Sequence, residues 1–341
     1  MTGHIIVPLD GLQQAEAVLP LALRTALKTR ASLTLLRVIP EGGFAPELVT
    51  EAQAATYLEK VRALFVSSVP CGRLSADQVT TKVVYAPYGE EIGEQAEFFT
   101  ADIVMVSLSS REWQRPALGG FTSKLLQRNC CPLIVLKEDS TLGRSSVLLK
   151  ESYKIFQENG SEQTRVVLAL DGTQGSEGAI PQAIEFTRKI DAELHLLTVI
   201  ESENINSKRT VPGEKRTGIT AELTEPELVE KALGYLESTA DNLQLKNATA
   251  FPVVGKGCPA TFIHNYALRC QASAVVMATR RGEAHGRYCL GSVADGVLRL
   301  GGVPLLMVPV CGTHSRQVTF GESTAAKPAI TGSTEANRVC S

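Results

Sequence analysis

Residues Ala278–Ala294, ATRRGEAHGRYCLGSVA, carry the types and spacing that an anion site needs. They follow the apolar run SAVVMAT, which reads as a buried strand. They lead into LGSVADGVLRL, where Val293, Val297 and Leu298 recur at helical spacing. Unpaired backbone N–H groups face outward at the start of such a helix, and Gly291 lets a phosphate approach them closely. Arg280, Arg281, His285 and Arg287 add positive charge to the loop. The same residues also suit a solvated basic turn, since Gly-Ser opens many helices that bind nothing.

What tips the balance lies elsewhere in the chain. HIIVPLDG at residues 4–11 returns as RVVLALDG at 165–172, so that Asp10 and Asp171 stand 161 positions apart (171 − 10). Glu16 and Glu177, Leu19 and Ile180, Pro20 and Pro181 keep that offset, as do LLRVI at 35–39 and LLTVI at 196–200. From Ala101-Asp102-Ile103-Val104-Met105-Val106 onward, matched by Ser273–Ala278, the offset is 172 (273 − 101). Gly119 and Gly291, and Pro132 and Pro304, share it. The chain is one domain written twice, with extra residues in the second copy around Ser202–Pro226.

Each copy reads β-α-β-α-β-α-β-α-β. In the first, IIVPL is a strand and residues 15–29 a helix with Pro20 near its first turn, where proline is tolerated. Then come strand SLTLLRVI, a helix over Pro46–Ser67, strand VTTKVVYA, a short helix over Gly89–Phe99, strand DIVMVSL, helix FTSKLLQRN and strand CPLIVLK. Continuous apolar strands alternating with amphipathic helices predict a parallel sheet covered on both faces, and right-handed crossovers make it doubly wound. The expected division is a first domain at 1–139, a polar linker at 140–163, a second domain at 164–311 and a disordered tail at 312–341.

Composition narrows the function classes. The net charge of −2 offers no basic footprint for nucleic acid or a membrane surface. Neither a 20-residue apolar span nor a leader-like start is visible, which predicts a cytoplasmic protein. The eight cysteines form no CxxC pair. Cys258, His264 and Cys270 are spaced by six, which sends successive members to different helix faces, so no metal set is expected. No Ser or Cys nucleophile stands at a readable spacing from a His, so no catalytic residues are assigned.

In an open parallel sheet a ligand sits outside the carboxyl ends of the strands, where strand order reverses. Asp10 or Asp171 ends strand one, Val38 or Val199 lies at the end of strand two, and the loop after strand four completes the crevice. A carboxylate there can accept from a ribose hydroxyl, and a valine backbone can meet a base edge. The first copy carries Trp113, Pro116 and Gly119-Gly120 in its loop, and is expected to bind poorly, with Asp10 kept for helix capping.

With those residues in view, the chain resembles the tandem members of the universal stress protein family. The marks are Val7–Gly11 and Leu168–Gly172, LLRV and LLTV, Gly257-Cys258-Pro259, and LGSVAD followed by Val303-Pro304. The resemblance implies two tandem doubly wound five-stranded domains, Rossmann-like and similar to the adenine-nucleotide alpha-hydrolases, joined as an intramolecular pseudo-dimer through their fifth strands. It implies a regulatory, stress-response protein that binds ATP or AMP, with Mg2+ accompanying the nucleotide and at most slow hydrolysis involving Asp171. The implied second-domain site is Ala169, Leu170 and Asp171 at adenine and ribose, Val199 at the base, and Ala278, Thr279, Arg280, Arg281, Gly282, Gly291, Ser292, Val293 and Ala294 around phosphate. Pro8, Leu9, Asp10 and Val38 form a weaker first-domain counterpart, where Gly120 takes the place of Ser292. Nucleotide-binding members carry Gly-x2-Gly-x9-Gly-Ser/Thr; here Ala278 and Arg281 replace the first two glycines, with Gly282 one position late. That departure supports the alternative of a protein–protein interaction module, and a homodimer of the tandem chain also remains open. An ATP-splitting ligase of similar sheet needs Ser-Gly-Gly-x-Asp-Ser after strand one, and LDGTQGS does not supply it.

Overall fold

In the computed structural model, residues 3–39, 49–69, 73–85, 101–108, 131–137, 164–201, 225–244, 249–280 and 291–310 are described. The first repeat contributes β1 (His4–Pro8), α1 (Leu19–Thr29), β2 (Ser32–Ile39), α2 (Glu51–Ser67), β3 (Val79–Tyr85), β4 (Ile103–Leu108) and β5 (Leu133–Lys137). The second contributes β6 (Thr164–Ala169), a single turn α3 (Gln174–Glu177), α4 (Ile180–Lys189), β7 (Ala192–Ile200), α5 (Glu225–Gln244), β8 (Ala250–Lys256), α6 (Pro259–Arg269), β9 (Ala272–Arg280), α7 (Ser292–Leu300) and β10 (Leu305–Val310).

The ten strands make one sheet in the order β3-β2-β1-β4-β5-β10-β9-β6-β7-β8. Every neighbouring pair is parallel except β5 and β10, which run antiparallel with Leu305 opposite Val135, Leu306 opposite Ile134 and Met307 opposite Leu133. The two fifth strands thus pair within the chain, and each covers an edge that would otherwise display unpaired N–H and C=O groups. One face of the sheet packs Leu33, Leu35, Val166 and Leu196 against α1, α2, α4 and α5. The other packs Leu36, Val38, Val275 and Met307 with α6 and α7.

Lysines at the same repeat position cross between the halves. Lys28 Nζ, on α1, donates to Thr164 Oγ1 (2.6 Å) and to the Ile190 carbonyl (3.3 Å). Lys189 Nζ, on α4, reaches back to Asp102 Oδ2 (3.4 Å), which also accepts from the His4 amide (2.9 Å). A third lysine, Lys137, donates to the Arg299 carbonyl at the end of α7.

Local chemistry corrects two boundaries. Helix α2 begins at Glu51 and not at Pro46, because Thr50 and Gln53 form a capping box: Thr50 Oγ1 accepts from the Gln53 amide (3.3 Å), and Gln53 Oε1 accepts from the Thr50 amide (2.9 Å). Glu225 and Pro226, placed in the insert by the repeat comparison, already belong to α5. Helix α1 does carry Pro20 in its first turn, preceded by a 3-10 turn at Ala15–Val18. The expected helices at Gly89–Phe99 and Phe121–Asn129, the linker at 140–163, the tail at 312–341 and most of the insert lie outside the described residues. Among the described residues, no helix is long and apolar enough to cross a membrane.

Candidate functional site

Each half-sheet has its switch point between its first and fourth strands. The chain leaves β6 toward β7 and β8, then returns on the other side of β6 as β9; β1 and β4 repeat this in the first half. Register fixes what meets there. Ala169 lies opposite Leu197 and Leu168 opposite Val276, so Asp171, Val199 and Thr279 fall in one row across three adjacent strand ends.

Asp171 is exposed, while Ala169 and Leu170 beneath it are buried. The turn that presents the carboxylate is built locally. Gly172 adopts φ +75, which a side chain would resist. Asp171 Oδ1 accepts from the Thr173 amide (2.9 Å) and hydroxyl (2.6 Å), and Thr173 Oγ1 in turn caps α3 by accepting from the Ser176 amide (3.2 Å). Under the turn, the buried Thr198 hydroxyl donates to the Leu170 carbonyl (2.9 Å). Val199 is half-buried, and the buried Thr279 hydroxyl donates to the Val308 carbonyl (3.4 Å).

At the far side, Gly291 is the N-cap of α7 with no side-chain capping bond, and Ser292 opens the helix exposed. Among the described residues, a Cβ added to Gly291 would meet nothing within 4 Å. Val293 is half-buried and Ala294 buried, which anchors the helix to the sheet. Ala278 is half-buried and Arg280 ends β9. Arg281 and Gly282, with the rest of 281–290, lie outside the described residues, as does the first-copy loop at 109–130.

The first half lays out the same row: Pro8 pairs with Leu36 and Ile6 with Val104, which aligns Asp10, Val38 and Leu108. Pro8, Leu9 and Val38 are buried. Asp10 does not cap a helix, contrary to expectation. Its Oδ1 accepts from the Leu12 amide two residues on (2.8 Å), closing an Asx turn over Gly11 at φ +82. The local bond outcompetes a cap because the 3-10 turn begins only at Ala15.

Sequence reasoning missed two features. One is a duplicated half-buried pair: Tyr57 Oη donates to Glu16 Oε1 at 2.9 Å, and Tyr235 Oη to Glu177 Oε1 at 2.9 Å. Burial pushes both phenols well above the ordinary tyrosine range, and the neighbouring glutamates push the same way. The other is Arg37, whose Nη1 donates to the Leu9 carbonyl at 3.3 Å. Burial raises the Asp10 carboxyl above the usual carboxylate range, while the Leu12 amide and then the Arg37 guanidinium pull it back. The repeat itself held the signals: Glu16 and Glu177 keep the offset, and Arg37 against Thr198 is the one mismatch within LLRVI and LLTVI.

A groove of about 550 Å3 is lined by Lys256 at the end of edge strand β8, by Cys258, and by Phe262 and Arg269 of α6. No three or more His, Cys, Asp or Glu side chains group as a metal set among the described residues.

Residues 1–137 and 163–309 each match the universal stress protein family. A universal stress protein of Methanocaldococcus jannaschii is 28% identical over 144 residues, 42% of this chain and 81% of that protein. The structure of a universal stress protein from Archaeoglobus fulgidus aligns over 91% of this chain and 97% of its own, with a TM-score of 0.57 and 15% identity. A functionally unknown protein from Pseudomonas aeruginosa aligns over 90% of this chain and 92% of its own, with a TM-score of 0.55 and 14% identity. At these identities the structural likeness is one of fold.

Proposed function

This chain belongs to the universal stress protein family, and from that premise we propose that it is a regulatory protein whose second domain binds an adenine nucleotide, ATP or AMP, without rapid turnover. The observation that carries the reading is the row of Asp171, Val199 and Thr279 across three strand ends, with β9 followed in the chain by a helix that opens at Gly291-Ser292 and, among the described residues, has no side-chain cap. A ribose hydroxyl would donate to the Asp171 carboxylate. Backbone at Ala169, Leu170 and Val199 would border the base. Phosphate would lie against the amides of Ser292, Val293 and Ala294 and the loop that includes Ala278–Gly282. Mg2+, where present, would arrive with the phosphates. On this reading the domain would join the adenine-nucleotide-binding relatives of the Rossmann-like sheet, and the protein would act in the cytoplasm.

A second reading, a protein–protein module of the same fold, draws on Arg281 standing where a loop glycine is expected and on the bulky first-copy loop. One experiment separates the two. Freshly purified protein is denatured, and the supernatant is examined by chromatography and mass spectrometry. ATP or AMP near one per chain, lost in Asp171→Ala, is the expected result. Losing charge-assisted hydrogen bonds of about 1.5–3 kcal/mol weakens binding by roughly ten- to a hundredfold or more. A preparation that is empty and also ignores added Mg-ATP would overturn the nucleotide reading in favour of the module.

A further inference from the structure

Where the first half has His4, Ser32 and Thr34, the second has Arg165, Glu193 and His195, each 161 positions later. Register sets Arg165 opposite Glu193 on β6 and β7, and His195 opposite Phe251 on edge strand β8. His195 shares its sheet face with Leu197 and Val199, the side on which α6 packs. Only 12% of its side chain is exposed. The cluster joins three elements. His195 Nδ1 lies 2.6 Å from the Tyr266 hydroxyl of α6. Glu193 Oε2 pairs with Arg165 Nε at 3.2 Å and stands 3.8 Å from His195 Nε2. Arg165 Nη1 donates to the carbonyl of Cys270, the C-cap of α6, at 3.3 Å. In the first half the place of His195 is taken by a hydroxyl, that of Thr34, which lies 2.8 Å from His4 Nε2 and 2.9 Å from Thr80 Oγ1.

These neighbours assign the imidazole proton. His195 Nε2 is buried, makes no hydrogen bond and faces a carboxylate, which would repel a bare lone pair. The proton therefore sits on Nε2, and Tyr266 donates to Nδ1. A second proton has only Nδ1 to enter. It would reverse the 2.6 Å bond, take from the Tyr266 hydroxyl its acceptor, and place a cation near Arg165 in half-buried surroundings. We propose that His195 is an acid-sensitive latch, which holds α6 to the sheet while neutral and loosens that contact when it takes a proton. The latch is independent of what the strand-end crevice holds. Burial keeps the imidazole below the ordinary histidine range; Glu193 opposes this and Arg165 reinforces it. The charged and titratable groups facing it are Glu193 on its own strand, Arg165 on β6 and Tyr266 on α6, with Cys270 and Arg269 acting on Tyr266. From β8 comes an apolar ring, Phe251, its centroid 5.6 Å from that of the imidazole. The unfolded chain takes this proton at about pH 6.5, more readily than the folded one. The stabilisation is therefore full above that pH and is lost as pH falls toward the folded midpoint.

The test uses the full-length chain. Imidazole NMR titration follows His195 in wild type, Glu193→Gln and Arg165→Gln. Denaturant melts at about pH 7.5 and about pH 5.5 compare wild type with His195→Thr, which installs the first-half residue, and with His195→Gln. Amide-exchange protection factors, which remove the intrinsic pH dependence of exchange, follow the last turn of α6 in wild type. The His195 midpoint is expected below about 6.5, lower still in Glu193→Gln and higher in Arg165→Gln. Over the same range the wild-type folding constant should fall several-fold, up to about tenfold, more than that of either His195 variant, and α6 protection should fall with it. A midpoint at or above about 6.5, shifts of one sign in the two charge variants, an acid response unchanged in both His195 variants, or α6 protection that ignores pH would each overturn the proposal. Should the His195 variants not fold, the wild-type midpoint and α6 protection decide.

Discussion

Domain one and domain two end their first strand in the same way, with a buried leucine whose amide bonds to the second strand, an aspartate, and a glycine of positive φ. They part company at the side chain beneath that turn, arginine in one and threonine in the other. Backbone devices persist because the turn cannot form without them. A side chain at the margin of the core can change charge while the strand beneath keeps its register. At this position the halves differ in charge while the backbone above keeps the same bond.

The largest effect is expected where the halves stop being separable. Leu306 is 1% exposed and pairs with Ile134 across the antiparallel seam. Leu306→Ala should cost about 2–5 kcal/mol by cavity formation. Calorimetry should show both repeats melting together at lower temperature; two resolved transitions, with only the second domain shifted, would break the picture of one shared sheet. A middle-sized effect tests what the domains have in common. Tyr57→Phe and Tyr235→Phe each remove a bond to a charged acceptor, about 1.5 kcal/mol, and the two losses should be alike. Both phenols titrate above the unfolded value of about 10. Their stabilisation is therefore full below that pH and is lost as pH rises through the folded value. Denaturant melts from pH 8 to 11 should show an alkaline decline that the double Phe variant lacks. The smallest effect distinguishes the crossing lysines. Lys28→Ala and Lys189→Ala should each cost less than about 1 kcal/mol. Salt should shrink only the second, because Lys189 meets the carboxylate of Asp102 while Lys28 meets neutral oxygens.

The repeat and the strands were legible because they depend on apolar runs, whereas the fifth-strand pairing came only as what the family resemblance implies. The row of Asp171, Val199 and Thr279 was half legible: the motif offsets named the first two, and only strand order sets β9 beside β6. The Tyr–Glu pairs were not legible, since Tyr57 and Tyr235 stand at different offsets from their glutamates, 41 and 58 residues away. A helix of different length and start delivers each one. The capping box that sets the start of α2 is visible in Thr50 and Gln53.

The seam between β5 and β10 has one further consequence. Were it formed by two identical chains, every substitution would appear on both sides at once, and pairing would depend on concentration. Within a single chain the partner is tethered and the two sides mutate independently. Lys137 and Pro309, equivalent in the repeat, show this licence already used. The lysine reaches the end of α7, while the proline, which has no amide hydrogen to donate, holds the matching place on the other strand.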